Sequence, residues 1–191
     1  MDTVHVTRSE EGEHWLVVTD VTTIKASRRD TSGKLLVLEV TVPPGGGPPI
    51  LHRHEYSEVF LFQEGEFEIS TVDENYVPNS IKVGAGDAVS IPSMVWHNFK
   101  NIGEVPGKFT VVHSPAVMED FMREIGRQIE DPDHPPTPDG PPSDKELQRM
   151  MEIIGRYMEM LPPEKIERQP SWIASPPLAR RQKGHNPQEI S

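Results

Sequence analysis

An all-β barrel or sandwich with a helical C-terminal extension is the fold class this chain predicts, and three observations carry it. Between residues 14 and 113, short runs rich in Val, Ile, Leu and aromatics alternate with clusters of Gly, Pro, Asn and Asp. No helical crossover intervenes between them, which argues against a parallel sheet. From Ser114 onward, the apolar residues recur at helical rather than alternating spacing.

The predicted strands, in order, are "HWLVVT", "KLLVLEVTV", "SEVFLF", "EFEISTV", "SIKV", "DAVSI" and "GKFTVV". "PPGGGPP", "EG", "DENYVPN", "GAGD" and "NIGEVPG" separate them as turns. "SPAVMEDFMREIGRQIED" then predicts a helix with Ser114 as N-cap, Pro115 at its first position and a stripe of Met118, Phe121, Met122, Ile125 and Ile129. Six prolines between 132 and 142 break it. A second helix starts at Ser143, where "SDKE" reads as a capping box, and presents Leu147, Met150, Met151, Ile154, Met158 and Leu161 before Pro162. That stripe predicts a face docked on the β domain or on a second subunit. The expected organisation is a β domain over 1–113, a helical extension over 114–163 with a Pro-rich linker at 131–142, and an extended or disordered tail over 164–191.

Composition removes several functions. Thirty acidic residues against 19 basic ones leave a formal charge of −11. Such a chain repels phosphate backbones and anionic lipid, so no nucleic-acid or membrane partner is expected. The basic run "LARRQKGH" (178–185) is too short to reverse this and reads as a solvated tail. With no cysteine, thiolate catalysis and sulfur-ligated metals are excluded. The N-terminus lacks the apolar core of a secretory signal, and a soluble cytoplasmic protein is the expectation.

One stretch carries chemistry. In "LHRHEYSEVFLF", His52, His54, Glu58, Phe60 and Phe62 all occupy even positions, which share one face of an extended strand. "GDAVSIPSMVWHNFKN" delivers His97 shortly after a strand ended by Pro92. Three imidazoles and a carboxylate suit Fe, Ni, Co, Mn or Zn better than Ca or Mg. The competing reading is a hydrogen-bonded polar core without an ion, which is costly for four buried polar groups.

The spacings then become specific. Gly46 is followed by His52, His54, Glu58 and Gly65, and, with twenty residues between, Gly86 is followed by Pro92, His97 and Asn101. This pattern resembles the two motifs of the cupin superfamily, in order, over about residues 40–113. One position departs: the glycine usual two residues after the proline is Met94 here. The match of "PSMVWHNFKN", "GKFTVVHSPAVMEDFMREIG" and "IIGRYMEMLPP" resembles, further, the small single-domain quercetinase-like cupins. The resemblance implies a jelly-roll monocupin with a two-helix extension and a metal held by His52, His54, Glu58 and His97. Its prototype reaction is O2-dependent cleavage of a flavonol heterocycle, and similar small cupins are cyclases or isomerases.

The expected function is therefore a metal-dependent dioxygenase acting on a small aromatic or polyketide-like substrate, with O2 as co-substrate. A non-redox cyclase, isomerase or decarboxylase and a non-catalytic binding protein are the alternatives. Glu58 is the expected base as well as a ligand, its pKa raised by desolvation. An HxH followed by Glu, in place of an HxD, argues against 2-oxoglutarate. Phe60, Phe62 and Met94 are the expected pocket wall, and His113 either reaches the pocket or is a structural histidine. His5, His14, His134 and His185 are expected to face solvent. The amphipathic last helix and the Pro-rich arm predict a homodimer.

Overall fold

The computed structural model describes residues 4–137, 140 and 142–166. Its strands are β1 (Glu13–Val17), β2 (Asp20–Ala26), β3 (Leu36–Val42), β4 (His52–Arg53), β5 (Ser57–Glu64), β6 (Glu66–Val72), β7 (Pro78–Gly84), β8 (Ala88–Ile91), β9 (His97–Asn101) and β10 (Gly107–Ser114). Helix α1 (Met118–Ile125), β11 (Arg127–Ile129), α2 (Asp144–Tyr157) and β12 (Glu159–Met160) follow. Two sheets result, ordered β11-β1-β2-β3-β10-β5-β8 and β12-β4-β9-β6-β7. Their pairings are antiparallel. They face one another as a jelly-roll sandwich rather than closing into a barrel.

Alternation explains which sheet face is buried. Along β5, Glu58, Phe60 and Phe62 are buried while Val59 and Leu61 face out, and β3 and β10 alternate in the same way. Phe60, Phe62, Phe67, Phe99 and Phe109 meet with ring centroids 5.0–6.1 Å apart. Each such buried ring stabilises the fold by about 2 kcal/mol. Leu51, Leu161 and Ile166 form a second, smaller cluster.

Polar bonds tie the two sequence motifs together. Asn101, wholly buried, donates from Nδ2 to the carbonyls of Val42 and Val105, both at 2.9 Å, and accepts from the Gly103 amide. Its backbone exchanges bonds with Gly45 and Gly46. Gly47, at φ +116, passes so close to β9 that an added Cβ would lie 2.2 Å from the Phe99 carbonyl oxygen.

Several elements differ from the sequence expectation. β2 and β9 lie in "DVTTIKA" and "HNFKN", whose polar residues conceal strands, because Thr22, Thr23 and Asn98 are buried by neighbours distant in sequence. Ser114 ends β10 and caps nothing; α1 begins only at Met118. Ile129 belongs to β11, not to a helical stripe, since the chain turns extended at Gly126 and pairs with β1. Gly126 permits this because a Cβ there would sit 2.7 Å from the Met122 carbonyl. The capping box at Ser143 forms with both of its bonds, but α2 stops at Tyr157, and Leu161 packs elsewhere. Buried Glu119 anchors α1 by accepting from the Arg28 amide at 2.7 Å and from the Arg123 guanidinium at 2.9 Å. His5 and His134 are exposed, whereas His14 is half-buried with Nδ1 2.8 Å from Thr23 Oγ1. The basic run, His185 and the tail beyond Ile166 lie outside the described residues, as do residues 138, 139 and 141 of the linker. Among the described residues no helix is long and apolar enough to cross a membrane.

Gly47→Ala is expected to cost at least about 2 kcal/mol, because it combines a left-handed φ with a backbone clash. Urea unfolding should show a lower midpoint with an unchanged slope.

Candidate metal centre

The two histidines of the HxH do not share a strand face with Glu58. β4 belongs to the five-stranded sheet and β5 to the seven-stranded one, so the chain crosses the sandwich between Arg53 and Ser57. His52 and His97 approach from one wall, paired across β4 and β9, and Glu58 from the other. His54 lies in the crossing, stacked on Tyr56 with ring centroids 3.6 Å apart and planes 4° from parallel.

The nitrogens of His52, His54 and His97 come within 4.8 Å of one another. Each ring is aimed by its other nitrogen. His54 Nδ1 bonds the Tyr56 carbonyl at 2.9 Å, His97 Nδ1 the Val95 carbonyl at 2.8 Å and His52 Nδ1 the Ile50 carbonyl at 3.3 Å. A carbonyl only accepts, so Nδ1 carries the proton in the neutral rings and each Nε2 presents a lone pair.

Glu58 completes the set. Its Oε2 lies 3.0 Å from His97 Nε2, and its Oε1 lies 3.4 Å from His54 Nε2 and 2.9 Å from His113 Nε2. Burial pushes its carboxyl up, but the imidazoles of His113, His54 and His97 crowded against it together outweigh burial and hold the acid well below the usual carboxylate range. This reverses the raised pKa expected from burial alone. Burial, then the nearby His97, lowers the His52 imidazole to about 3, which keeps it neutral.

An acceptor therefore faces acceptors. His54 Nε2 and Glu58 Oε2 are buried with no hydrogen-bond partner among the described residues. Bare imidazole nitrogens against a carboxylate repel unless a proton or a cation lies between them. Three nitrogens and an oxygen fit a divalent first-row ion. His113 serves differently: its Nε2 donates to Glu58 while its Nδ1 has no partner.

His52, Glu58, His97 and His113 line a cavity of about 320 Å³, and His54 sits behind them. Phe60 lines it, but Phe62 packs against Phe67 and Phe109 instead. Met94 does not line it either. At φ +64 Met94 keeps the left-handed turn of the glycine it replaces, its amide bonded to the His54 carbonyl at 2.8 Å. The sequence reading missed Tyr56, which lines the cavity and shares the even-numbered phase of the ligands. It also missed what the helices do. Met118 and Met122 of α1, Met150 and Met151 of α2, and Met158 and Met160 beyond it line the cavity, six of the chain's eight methionines. Their unusual density was the available signal.

Residues 38–113 match the family model described as "Cupin domain". Quercetin 2,3-dioxygenase of Bacillus subtilis (strain 168) is 26% identical over 156 residues, 81% of this chain and 44% of that protein. The chain thus spans less than half the length of this curated relative. An RmlC-like cupin from Shewanella frigidimarina NCIMB 400 superposes with a TM-score of 0.51 at 20% identity, covering 63% of this chain and 99% of that one. Oxalate decarboxylase from Bacillus subtilis does so with a TM-score of 0.50 at 21% identity, covering 67% and 34%. At these identities the two structures speak for the fold alone.

His54→Ala and His97→Ala should each abolish stoichiometric metal binding, measured by plasma mass spectrometry after reconstitution. His113→Ala should keep the site but weaken it roughly 10–100-fold in chelator competition, because it removes the donor that orients Glu58.

Proposed function

Starting from the match of residues 38–113 to the cupin domain, we propose a metal-dependent enzyme acting on a small, largely apolar aromatic or polyketide-like molecule. The observation that carries this is the convergence of three imidazole nitrogens on a buried carboxylate beside an apolar cavity that His52, His97 and Glu58 line. His52, His54, His97 and Glu58 would hold one divalent ion, Fe, Ni, Co, Mn or Zn. Such an ion supplies Lewis acidity toward an enol or phenol oxygen.

The chain's own residues supply the rest. Glu58 is held ionised and accepts a proton from the bound hydroxyl. His113, donating to Oε1, steadies the carboxylate. Phe60, Phe109 and the methionines exclude water and press on a planar ring, where sulfur–aromatic contacts are favourable and thioethers adapt to shape. The finer reading is a dioxygenase, with O2 as co-substrate and no 2-oxoglutarate, on the likeness to the Bacillus subtilis protein named quercetin 2,3-dioxygenase.

A second reading keeps the site and drops O2. Six thioethers around the cavity are oxidisable, which favours a cyclase, isomerase or decarboxylase in which Glu58 moves a proton. A homodimer is a separate proposal, supported by exposed Val59 and Leu61 on the outer face of β5 and tested by light scattering.

Oxygen uptake by metal-loaded protein with a set of hydroxyflavones and hydroxyquinones is the discriminating experiment. Stoichiometric uptake with product supports the dioxygenase; product without uptake supports the second reading; no turnover with any member rejects both. In either enzyme Glu58→Gln should lower kcat by about 100-fold or more, the usual contribution of a positioned base.

A further inference from the structure

The cavity has a second polar end. The tip of the β1–β2 hairpin, Val17 to Asp20, lines it along with Thr22. Asp20, Thr22 and Ile24 alternate onto the inner face of β2, and Val17 pairs with Asp20. Val21 stands opposite Thr41 and Leu36 opposite His113, which in turn faces Glu58. Asp20 therefore lies three strands and about six residues along the sheet from Glu58, on the order of 20 Å over its curved surface. Between the two run apolar side chains: Val40, Phe109, Val111 and Phe60.

Asp20 is half-buried there. Among the described residues its hydrogen bond comes from the neighbouring Thr19 hydroxyl, at 3.1 Å. Burial pushes its carboxyl up to about 7, with the Thr19 bond pulling the other way. The preceding Val18 sits at φ +59 because it is the first central residue of a two-residue hairpin turn, which fixes where Asp20 enters β2. A half-buried acid on the lining of an apolar cavity is poorly explained by stability, because a hydrophobic residue on that face would carry no desolvation cost.

We propose that Asp20 is a specificity residue that accepts a hydrogen bond from a hydroxyl on the end of the substrate remote from the metal centre. This rests on the functional reading above and deepens it. The substrate class becomes an elongated, rigid aromatic molecule with a metal-binding oxygen pair at one end and a phenolic hydroxyl at the other. Asp20 takes no part in the chemical step; it sets which molecule lies along the cavity and how far in it reaches.

The test uses paired probes and metal-loaded full-length protein: 3-hydroxyflavone with 3,4′-dihydroxyflavone, and a hydroxyquinone with and without a hydroxyl on its far ring. Affinities are measured by fluorescence quenching for the wild type, Asp20→Asn and Asp20→Leu, after metal content and thermal midpoint confirm that each is folded and loaded. The wild type should prefer the distally hydroxylated member of a pair by roughly tenfold or more, the scale of a bond to a charged acceptor. Asp20→Leu should erase that preference while binding the plain member at least as well, and Asp20→Asn should retain part of it. Binding of both members with no preference, or with a preference unchanged in Asp20→Leu, overturns the role of Asp20 and leaves the functional reading intact. Failure of every probe to bind the wild type overturns the functional reading and this inference with it.

Discussion

The architecture turns on one buried charge. Glu58 sits ionised between two sheets, and an uncompensated carboxylate there would cost several kcal/mol. His113 compensates it by donation from β10, while His54 in the crossing segment and His97 on β9 set the nitrogens that would hold a cation against it. Those positions exist only if the chain crosses the sandwich between β4 and β5, and if β9 pairs with β4 at the level of His97. The bonds between Asn101 and the turn at Gly45–Gly46 then hold β9 in that register. The polar centre and the sheet topology thus specify one another.

Much of this was legible in the chain, and the limits are instructive. The even-numbered phase from Glu58 to Phe62 correctly marked the inner face of β5, because alternation along one strand is a local property. Extending the same phase back to His52 brought together the right residues by a wrong route, since the strand breaks between Arg53 and Ser57. Periodicity cannot register a change of sheet. The direction of the Glu58 shift failed for a related reason: burial is readable from apolar neighbours in sequence, but the imidazoles that overrule it come from residues as distant as 97 and 113. The strand "DVTTIKA" escaped notice because its threonines are buried by partners in β1 and β3, not by their own character. At Met94 the departure from the family glycine altered the residue and not the turn, since the bond from its amide to the His54 carbonyl secures the left-handed geometry.

The helical extension was legible as helix and opaque as function. Its methionines read as a docking stripe, and docking is what α1 and α2 do; the surface they dock over is the open end of the cavity. An ordinary apolar stripe of Leu and Ile would seal such an end with a fixed shape. Unbranched thioethers instead leave a wall that can repack around different ring systems. Leu147 and Met151 remain partly exposed, so this wall borders solvent and can yield without disturbing the phenylalanine core.

Rigidity and adaptability are therefore divided between different parts of the chain. The histidines that would face an ion lie on paired strands or are held by backbone carbonyls. The groups that face the remainder of a substrate come from the hairpin tip at Val18–Asp20 and from the helices, where the constraints are fewer. Motif residues can consequently identify the kind of chemistry this cavity supports while carrying no information about which molecule enters it. That information sits in segments outside both motifs, where the polarity of Asp20 and the shape offered by the methionines decide the fit.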